Sequence, residues 1–540
     1  MVAIDMEMSS TLQFFLTLCM AGACSLAFYF YYKAWIRPQA IRRRLRHQGV
    51  EGPPPSFPFG NSLEMKRLVA EAKGRRGRGG GETAEIKHDY TPLVFPYFEH
   101  WRKVYGPVFS YSMGNVVALH VSHPDVVKEI SLCSSSDLGK ATYLKKTHEP
   151  LFGQGILKSN GESWSRQRKI IAPEFFSDKV KGMVELMVDS ATPLLRSWQE
   201  RVDLAGGTAE INIDDDLRRY SADVISSTCF GSNYARGKEI FQKLRALQNA
   251  VATPNLFAEI TGLRCIPTKR AREVQNLNRE VNALILRAVK EEEEGGGGEP
   301  RRPTQRNLLQ AILRSASESL DFSDRFVVDN CKNIYFAGHE TTAVAASWCL
   351  MLLALHPEWQ ARARTEAVEV CGRGGRSLDA NALQKMKILT MVIQETLRLY
   401  PPGAFVAREA LRDVDLAGVR VPSGVNIYVP VSVLHHGAAT WGPDPHRFDP
   451  GRFARGGSSS TPTSRRLPHT YLPFGAGPRT CLGQNFAMAE LKVVLSLLLL
   501  QFAFDLSPAY CHSPCMRLIV EPEYGVKLLV KKAHVDSGTK

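Results

Sequence analysis

The chain has 540 residues, 44% hydrophobic and 23% charged, an ordinary composition for a globular protein with a large core. Its formal net charge is +14, and residues 33–78 hold 12 Lys and Arg against 3 Glu, or +9 of that total. Such a basic block favours nucleic acid or an acidic membrane surface as a partner. The 11 cysteines are odd in number and form no CxxC pairs, which argues against a disulfide framework and indicates a reducing, cytosolic environment.

Residues 8–32 carry no charged side chain. A bilayer core takes about 20 apolar residues as a helix, so this run can span a membrane. Asp5 and Glu7 precede it and a basic cluster follows, which by the positive-inside rule places the bulk of the chain in the cytosol. A cleaved signal peptide is the alternative, but such signals begin with basic residues and have shorter apolar regions. We therefore predict a single-pass transmembrane anchor over residues 1–36, with a membrane and no nucleic acid as partner.

Helical patterns dominate the chain beyond the anchor, and short strand patterns occur in two places. We predict a mainly α fold with minor β structure, in one domain spanning residues 61–540. In chain order, the expected elements are a basic and proline-rich linker (37–60), a flexible loop (73–82), a β-hairpin (108–122), long helices (163–400), short strands (411–432) and an apolar core helix (487–502).

The stretch YFAGHETTAVAAS, Tyr335 to Ser347, lies in a strongly apolar part of the chain yet holds Glu340 beside Thr341 and Thr342. Burying a carboxylate costs free energy unless it has a partner or a task. The position of this acid therefore requires an explanation from elsewhere in the chain.

The stretch PFGAGPRTCLGQNFAMAELK, Pro473 to Lys492, supplies one. Its glycines and prolines predict a tight loop that turns directly into the apolar helix. Cys481 lies at the transition, where backbone N–H groups and the helix dipole favour an anion, and Arg479 adds a fixed positive charge. A buried structural cysteine at a helix start is the alternative on these grounds alone.

Residues 474–483, FGAGPRTCLG, match every fixed position of FxxGxRxCxG, the signature of the cytochrome P-450 superfamily. The resemblance covers residues 33–530 and implies the cytochrome P-450 fold, with haem b held by the thiolate of Cys481 as the axial ligand of its iron. A thiolate ligand pushes electron density toward iron and favours O–O cleavage. The implied activity is that of an NADPH- and O2-dependent monooxygenase.

Other motifs of the family follow in the expected order. Glu395 and Arg398 supply ExxR, a pair at i and i+3 that on its own is usually a solvated surface ion pair. The resemblance implies instead a buried structural cluster with Arg452, in FDPGRF. Gly451 stands where the family usually has Glu, which is a departure at a weakly specified position.

Four residues match family positions that contact the haem propionates. A guanidinium suits this task because its fork matches two carboxylate oxygens. Surface arginines are the alternative for two of the four, Arg168 and Arg408. The residues are Trp164, Arg168, Arg408 and Arg479.

Residues 337–342, AGHETT, match the AGxET(T/S) segment of the helix that crosses the haem in this family. The resemblance implies that Gly338 allows a close approach of the backbone and that Glu340 and Thr341 together relay protons into the site. We also expect the Thr341 hydroxyl to bond a carbonyl one turn back and loosen the helix. A helix carrying a satisfied polar pair is the alternative, and His339 receives no role.

The chain has no flavin or nicotinamide motif, so its electrons come from another protein. The resemblance implies NADPH-cytochrome P-450 reductase, with cytochrome b-five as an optional second donor, at the endoplasmic reticulum membrane. Arg166 and Lys169 are candidates for a cationic face toward an acidic reductase. A hydroperoxide-rearranging relative and a non-enzymatic haem sensor are the alternatives, and the acid–threonine pair counts against both.

The substrate rests on resemblance within the family. The whole set of motifs resembles a plant clan, and residues 55–67, PSFPFGNSLEMKR, resemble its gibberellin-oxidising branch, which suggests a diterpenoid acid hydroxylated at carbon 13. Cytokinins, brassinosteroids, triterpenoids and fatty acids are the alternatives. Two segments, 132–154 and 403–407, are expected to line the pocket. The first contains four cationic or titratable residues that would suit a carboxylate or would simply face water: Lys140, Lys145, Lys146 and His148.

Overall fold

The structure is a computed structural model, and it describes residues 2–78, 86–141, 148–231, 234–252, 268–293, 308–317, 324–372, 378–454 and 469–533. Over these ranges the protein is mainly helical with small sheets, which confirms the predicted fold class. Two of the lysines considered for the substrate loop, Lys145 and Lys146, lie outside the described residues.

The N-terminal helix is long, and its apolar part is not buried against the rest of the protein. Helix α1 (Val2–Tyr31) continues through a short π-helical turn (Tyr32–Ile36) into α2 (Arg37–Arg46). The apolar part of the continuous helix Gln13–Arg46 has a mean hydropathy of 1.7 and none of it is buried. In the described part of the chain, this is the helix long and apolar enough to cross a membrane.

The segment predicted as a basic and proline-rich linker, residues 37–60, makes contacts with the domain. Arg42 of α2 is buried and donates hydrogen bonds to the carbonyl oxygens of Pro53 and Ser110, at 2.5 and 3.3 Å. A third bond reaches Asn61 Oδ1 at 3.3 Å. Burial lowers the pKa of Arg42 to about 10, so the guanidinium remains charged. Arg42, one of the basic residues between 33 and 78, is therefore a structural residue, which the composition of this segment did not indicate.

The loop predicted at residues 73–82 is helical as far as the structure describes it. Helix α3 (Ser62–Arg78) includes Gly74, and residues 79–82 lie outside the described ranges. A glycine inside a helix costs only about 1 kcal/mol relative to alanine. The preceding helix-forming run is therefore enough to carry the helix through it.

In the described ranges, four small sheets accompany the helices. The predicted hairpin is confirmed as β1 (Val108–Met113) and β2 (Val116–Val121), which are antiparallel, with Val108 opposite Val121. The other strands are β3 (Leu138–Gly139), β4 (Thr208–Asn212), β5 (Phe405–Ala410), β6 (Val414–Leu416), β7 (Val419–Val421), β8 (Asn426–Pro430), β9 (Phe502–Leu506), β10 (Pro514–Met516), β11 (Val520–Pro522) and β12 (Lys527–Lys532).

The hairpin belongs to a five-stranded sheet in the order β1-β2-β8-β5-β3, in which only the β2–β8 pair is parallel. A three-stranded sheet has the order β4-β12-β9, and β6-β7 and β10-β11 are two-stranded.

The helices of the domain surround one long buried member. In chain order they are α4 (Thr91–Val94), α5 (Pro96–Tyr105), α6 (Pro124–Leu132), α7 (Glu149–Phe152), α8 (Gly161–Ile171), α9 (Ser177–Gly182), α10 (Val184–Leu204), α11 (Asp214–Phe230), α12 (Tyr234–Ala252), α13 (Lys269–Glu293), α14 (Leu308–Ser317), α15 (Asp324–Leu355), α16 (Pro357–Cys371), α17 (Ala380–Lys385), α18 (Lys387–Leu399), α19 (Val431–His435), α20 (Ala438–Trp441) and α21 (Gln484–Gln501). Helix α15 is hydrophobic on nearly all sides and packs against α11, α18 and α21. The predicted apolar helix, α21, is buried in the same core.

Candidate active site

The cysteine loop has the tight geometry that its glycines predict. Gly475 and Gly477 have φ of 73° and 72°, in the left-handed region that glycine adopts without strain. A Cβ on Gly477 would also lie 2.5 Å from the carbonyl oxygen of Ser131. Helix α21 begins at Gln484, so Cys481 precedes its first turn, and the Cys481 N–H donates to Phe474 O at 2.8 Å. The loop is therefore rigid where the cysteine is presented.

The Cys481 thiol is accessible but surrounded by protein. Its side chain has accessible surface, yet the protein around it is dense enough that burial raises the pKa of the thiol. The N–H of Gly483 and the charges of Arg168 and Lys140 act in the opposite direction. These three groups are the ones that favour a thiolate once a metal replaces the proton.

Cationic side chains converge on this cysteine from three parts of the chain. Arg168 of α8 donates to Thr480 O at 3.1 Å, and Arg408 of β5 donates to Ala476 O at 3.2 Å. Both arginines therefore bond carbonyl oxygens of the cysteine loop itself. Burial lowers the pKa of Arg408 to about 10, which leaves it charged at neutral pH.

Trp164 organises two of these guanidinium groups. Its ring lies 4.4 Å from the guanidinium carbon of Arg479 and 5.5 Å from that of Arg168. Arg479 also donates to Ser159 O at 3.1 Å and to Asn160 Oδ1 at 2.8 Å. Its Nε is buried and has no hydrogen-bond partner among the described residues. The four residues predicted to contact propionates are thus brought together beside Cys481.

Lys140, predicted to belong to the substrate loop, lies beside Cys481 with Trp164 and the three arginines. Burial, then Arg408 and Arg479, lower its pKa to about 7, while Cys481 acts to raise it. Nothing in the spacing of Lys140 along the chain relates it to the distant arginines, so the sequence predicts only that it belongs to a pocket loop. His148, from the same loop, is buried and stacks on Phe152 instead.

One face of α15 is open while the rest of it is buried. Between residues 327 and 354, accessible surface remains at Ala337, Gly338 and Thr341. The Thr341 hydroxyl donates to Ala337 O at 2.8 Å, which confirms the predicted bond to a carbonyl one turn back. A Cβ on Gly338 would lie 2.5 Å from Cδ1 of Ile225, so this glycine also permits close packing of α11.

Glu340 is completely buried within a set of positive charges. It pairs with Arg218 at 3.2 Å, with Arg245 at 2.9 Å and with His339 Nε2 at 3.3 Å. Burial would raise its pKa, but His339, Arg218 and Arg245 together lower it well below the usual value for a glutamate. The carboxylate is therefore ionised at neutral pH. The sequence analysis gave His339 no role, and the structure places it against Glu340.

The partners of Glu340 carry no signal in the sequence. Arg218 is on α11 and also bonds Glu521 at 2.8 Å, whereas Arg245 is on α12. These residues lie 95 to 122 positions before Glu340 in the chain. No local spacing relates residues so far apart, and only the packing of α11 and α12 on α15 reveals them.

The predicted structural cluster is assembled and buried. Arg398 bonds both carboxylate oxygens of Glu395, each at 2.7 Å, and both side chains are fully buried. Arg452 approaches Glu395 at 3.5 Å and donates to Trp441 O at 2.6 Å. Asp449 donates its backbone N–H to Glu395 at 2.9 Å and accepts from Gly451 N–H at 3.0 Å. The glycine at this departure from the family pattern thus fits the turn.

Comparison with known proteins agrees with this geometry. The family model for Cytochrome P450 matches residues 86–530. The chain is 57% identical to Cytochrome P450 714B3 of Zea mays over 534 residues, 98% of each chain. It is 58% identical to Cytochrome P450 714B1 of Oryza sativa subsp. japonica, over 94% of this chain and 95% of that one, and 43% identical to Cytochrome P450 714A2 of Arabidopsis thaliana, over 94% and 96%.

A cysteine at a helix start, guanidinium groups around it and an open helix face define the class of haem-thiolate monooxygenases. The chain belongs to the cytochrome P450 family.

The residues present fit the haem that the family binds. Arg168, Arg408 and Arg479 have no carboxylate partner in the described part of the chain, and a dianionic group can pair with them. The buried Nε–H of Arg479 also lacks a hydrogen-bond acceptor there, which such a group can supply. The residues that would hold it are Cys481 at the iron and Trp164, Arg168, Arg408 and Arg479 at its carboxylates. When bound, the haem activates dioxygen with electrons supplied by a reductase.

Proposed function

We propose that the enzyme hydroxylates a gibberellin, a diterpenoid acid, at carbon 13. We also propose that residues 1–36 anchor it in the endoplasmic reticulum membrane, with the domain of residues 61–540 in the cytosol. The proposal that the substrate is an acid rests on the excess of positive charge beside Cys481. Three arginines and Lys140, each able to carry a positive charge, converge there, and the two carboxylates of a haem would pair with only two of them. A substrate carboxylate complements that excess.

The apolar part of such a substrate also finds a suitable surface. The open face of α15 consists of Ala337, Gly338 and Thr341, which are small, and so leaves room for a rigid ring system. Phe405, within the predicted pocket segment 403–407, is only partly buried and packs against Phe95 at 4.9 Å between ring centroids. A hydrophobic skeleton carrying an acid is the substrate class that both features favour.

Substitution of Lys140 tests whether the enzyme recognises a carboxylate on its substrate. In Lys140→Met, the KM for a gibberellin acid is expected to rise about 10- to 100-fold, because a hydrogen bond to a charged group contributes about 1.5–3 kcal/mol. The KM for its methyl ester is expected not to change. The assay uses microsomes with reductase and NADPH, and mass spectrometry detects a single added oxygen and locates its carbon by fragmentation.

Lys128→Met, at an exposed position of α6, is the matched control. An equal rise in KM for acid and ester, together with loss of bound haem, would assign Lys140 to the haem propionates alone. Absence of any oxygenated gibberellin from a preparation with an intact haem-thiolate spectrum would discard the proposed substrate and leave the monooxygenase class standing.

The reductase is proposed to dock on the outer face of α8. Trp164, Gln167 and Ile171 are buried on its inner face, and Arg166 and Lys169 are exposed on the other. Cytochrome b-five, as a second donor, would use the same cationic face.

Lys169→Glu is expected to slow the reductase-supported reaction about tenfold at low ionic strength and to approach the unaltered rate at high salt, since steering between exposed charges is screened. Stopped-flow reduction of the haem at several salt concentrations measures this, with Lys128→Glu as control. An effect of Lys128→Glu as large as that of Lys169→Glu would place the docking face elsewhere.

A further inference from the structure

Three side chains with metal-binding atoms meet on the side of the domain that holds the Glu395–Arg398 pair. They are Asp89, just before α4, His436, just after α19, and His446, which precedes the turn at Pro450–Phe453. One ligand atom of each lies within 4.8 Å of the others. None of the three has a part in the haem site, and three separate chain segments supply them.

His436 is arranged as a metal ligand. Its Nε2 lies 3.1 Å from Leu399 O and donates to it, which leaves the lone pair on Nδ1. That Nδ1 is buried and has no hydrogen-bond partner among the residues that the structure describes, and only 8% of the residue is exposed. Burial and Arg398 lower the pKa of the ring well below its usual value, so it is neutral. A metal-binding histidine in proteins usually donates its other nitrogen to a carbonyl in this way.

His446 and Asp89 form the outer part of the cluster. His446 Nε2 lies 3.8 Å from Asp89 Oδ2, too far for a hydrogen bond, and Nδ1 of His446 is buried with no partner in the described ranges. The His446 and His436 rings are 5.1 Å apart at 73°. The side chains of His446 and Asp89 are 38% and 41% exposed, so an ion can enter from solvent and both can adjust.

We propose that Asp89, His436 and His446 bind a divalent transition metal, with Zn2+ the first choice, and that solvent completes the coordination. Two imidazole nitrogens and one carboxylate oxygen suit zinc, whose bonds to such atoms are about 2.0–2.2 Å. Tetrahedral ligand atoms then lie about 3.3 Å apart. To reach that geometry, the spacings between the ligand atoms need to shorten by at most about 1.5 Å, which movement of the two half-exposed side chains can supply.

The metal would join segments that pack on the buried arginine of the core. Arg398 donates to Pro445 O at 2.6 Å and to Arg447 O at 3.2 Å, on either side of His446. Leu399, next to Arg398, accepts the bond from His436. An ion that binds the folded state alone raises its stability, so zinc is expected to slow the loss of haem on heating.

The experiment uses the full-length, haem-containing protein, treated with a chelator and then dialysed against zinc sulfate at micromolar concentration. Elemental analysis is expected to find one zinc per chain in addition to the haem iron, and Co2+ in its place is expected to give d–d absorption. His446→Gln and Asp89→Asn, both at half-exposed positions, are expected to weaken zinc binding by more than about tenfold.

His123→Gln is the matched control. His123 Nδ1 lies 3.8 Å from Asp125 Oδ2, the same spacing as in the outer pair, but among the described residues no second histidine belongs to that group. Zinc binding by His123→Gln is expected to equal that of the unaltered chain, and haem content shows that each variant has folded. Zinc bound equally by His446→Gln, or none bound by the unaltered chain, would overturn the proposal.

Discussion

Arg398→Leu is expected to lower the free energy of unfolding by about 3–5 kcal/mol and to reduce haem retention, because it leaves the Glu395 carboxylate buried without its main partner. Arg398 is fully buried and donates five hydrogen bonds, two to Glu395 and three to backbone carbonyls. Burial raises the pKa of Glu395, and Arg398 is the principal group that opposes the rise. Urea unfolding followed by circular dichroism, with haem content measured by absorbance, gives both quantities.

Arg102→Leu is a closely matched control, since Glu99 and Arg102 repeat the same ExxR spacing at the surface. Arg102 lies 3.0 Å from Glu99, and the two side chains are 40% and 21% exposed. An exposed pair of this kind contributes about 0–1 kcal/mol. Equal destabilisation by Arg102→Leu and Arg398→Leu would contradict a special role for the buried cluster.

The two ExxR pairs show what the sequence could and could not predict. Both satisfy the same i, i+3 spacing, so the spacing alone does not distinguish the buried pair from the exposed one. The buried pair is identified only through the family resemblance, which the cysteine loop carries. Burial itself depends on Arg447, Pro445 and His435, whose carbonyls surround Arg398 only in the folded chain.

Locally encoded features were predicted best. The hairpin at 108–122, the left-handed glycines of the cysteine loop and the back-bonded Thr341 all follow from residues within a few positions of one another. Apart from residues 73–78, which are helical where a loop was predicted, the errors and omissions concern contacts between distant parts of the chain. Arg42 enters the domain from the basic run, and Lys140 joins arginines more than 250 residues away. Spacing within one sequence contains no information about such contacts.

Glu340 is a second example of contacts between distant residues that the sequence does not predict. The sequence suggested that it relays protons with Thr341, and that role stays a prediction. The structure adds that its carboxylate is held ionised between Arg218 and Arg245. An ionised acid must accept a proton before it can pass one on, and the ion pairs with Arg218 and Arg245 oppose that first step.

Thr341→Ala is expected to lower product formation by about 100-fold or more while NADPH consumption continues, with hydrogen peroxide released in place of product. The Thr341 hydroxyl donates its proton to Ala337 O, which leaves its oxygen free to accept a hydrogen bond from water on the open face of α15. Removal of the hydroxyl therefore removes the group that holds water where protons must arrive. Simultaneous measurement of NADPH, peroxide and product gives the coupling.

Two controls separate this effect from a change in helix geometry. Thr341→Ser keeps the hydroxyl and is expected to retain most of the coupling. Thr365→Ala removes an equivalent bond at the surface, since Thr365, at an exposed position of α16, donates to Ala361 O at 3.1 Å, and it is expected to leave coupling unchanged. Unchanged oxygen-dependent turnover in Thr341→Ala would reject the hydroxyl as a proton-relay group, and the acid beside it would then be explained by its ion pairs alone.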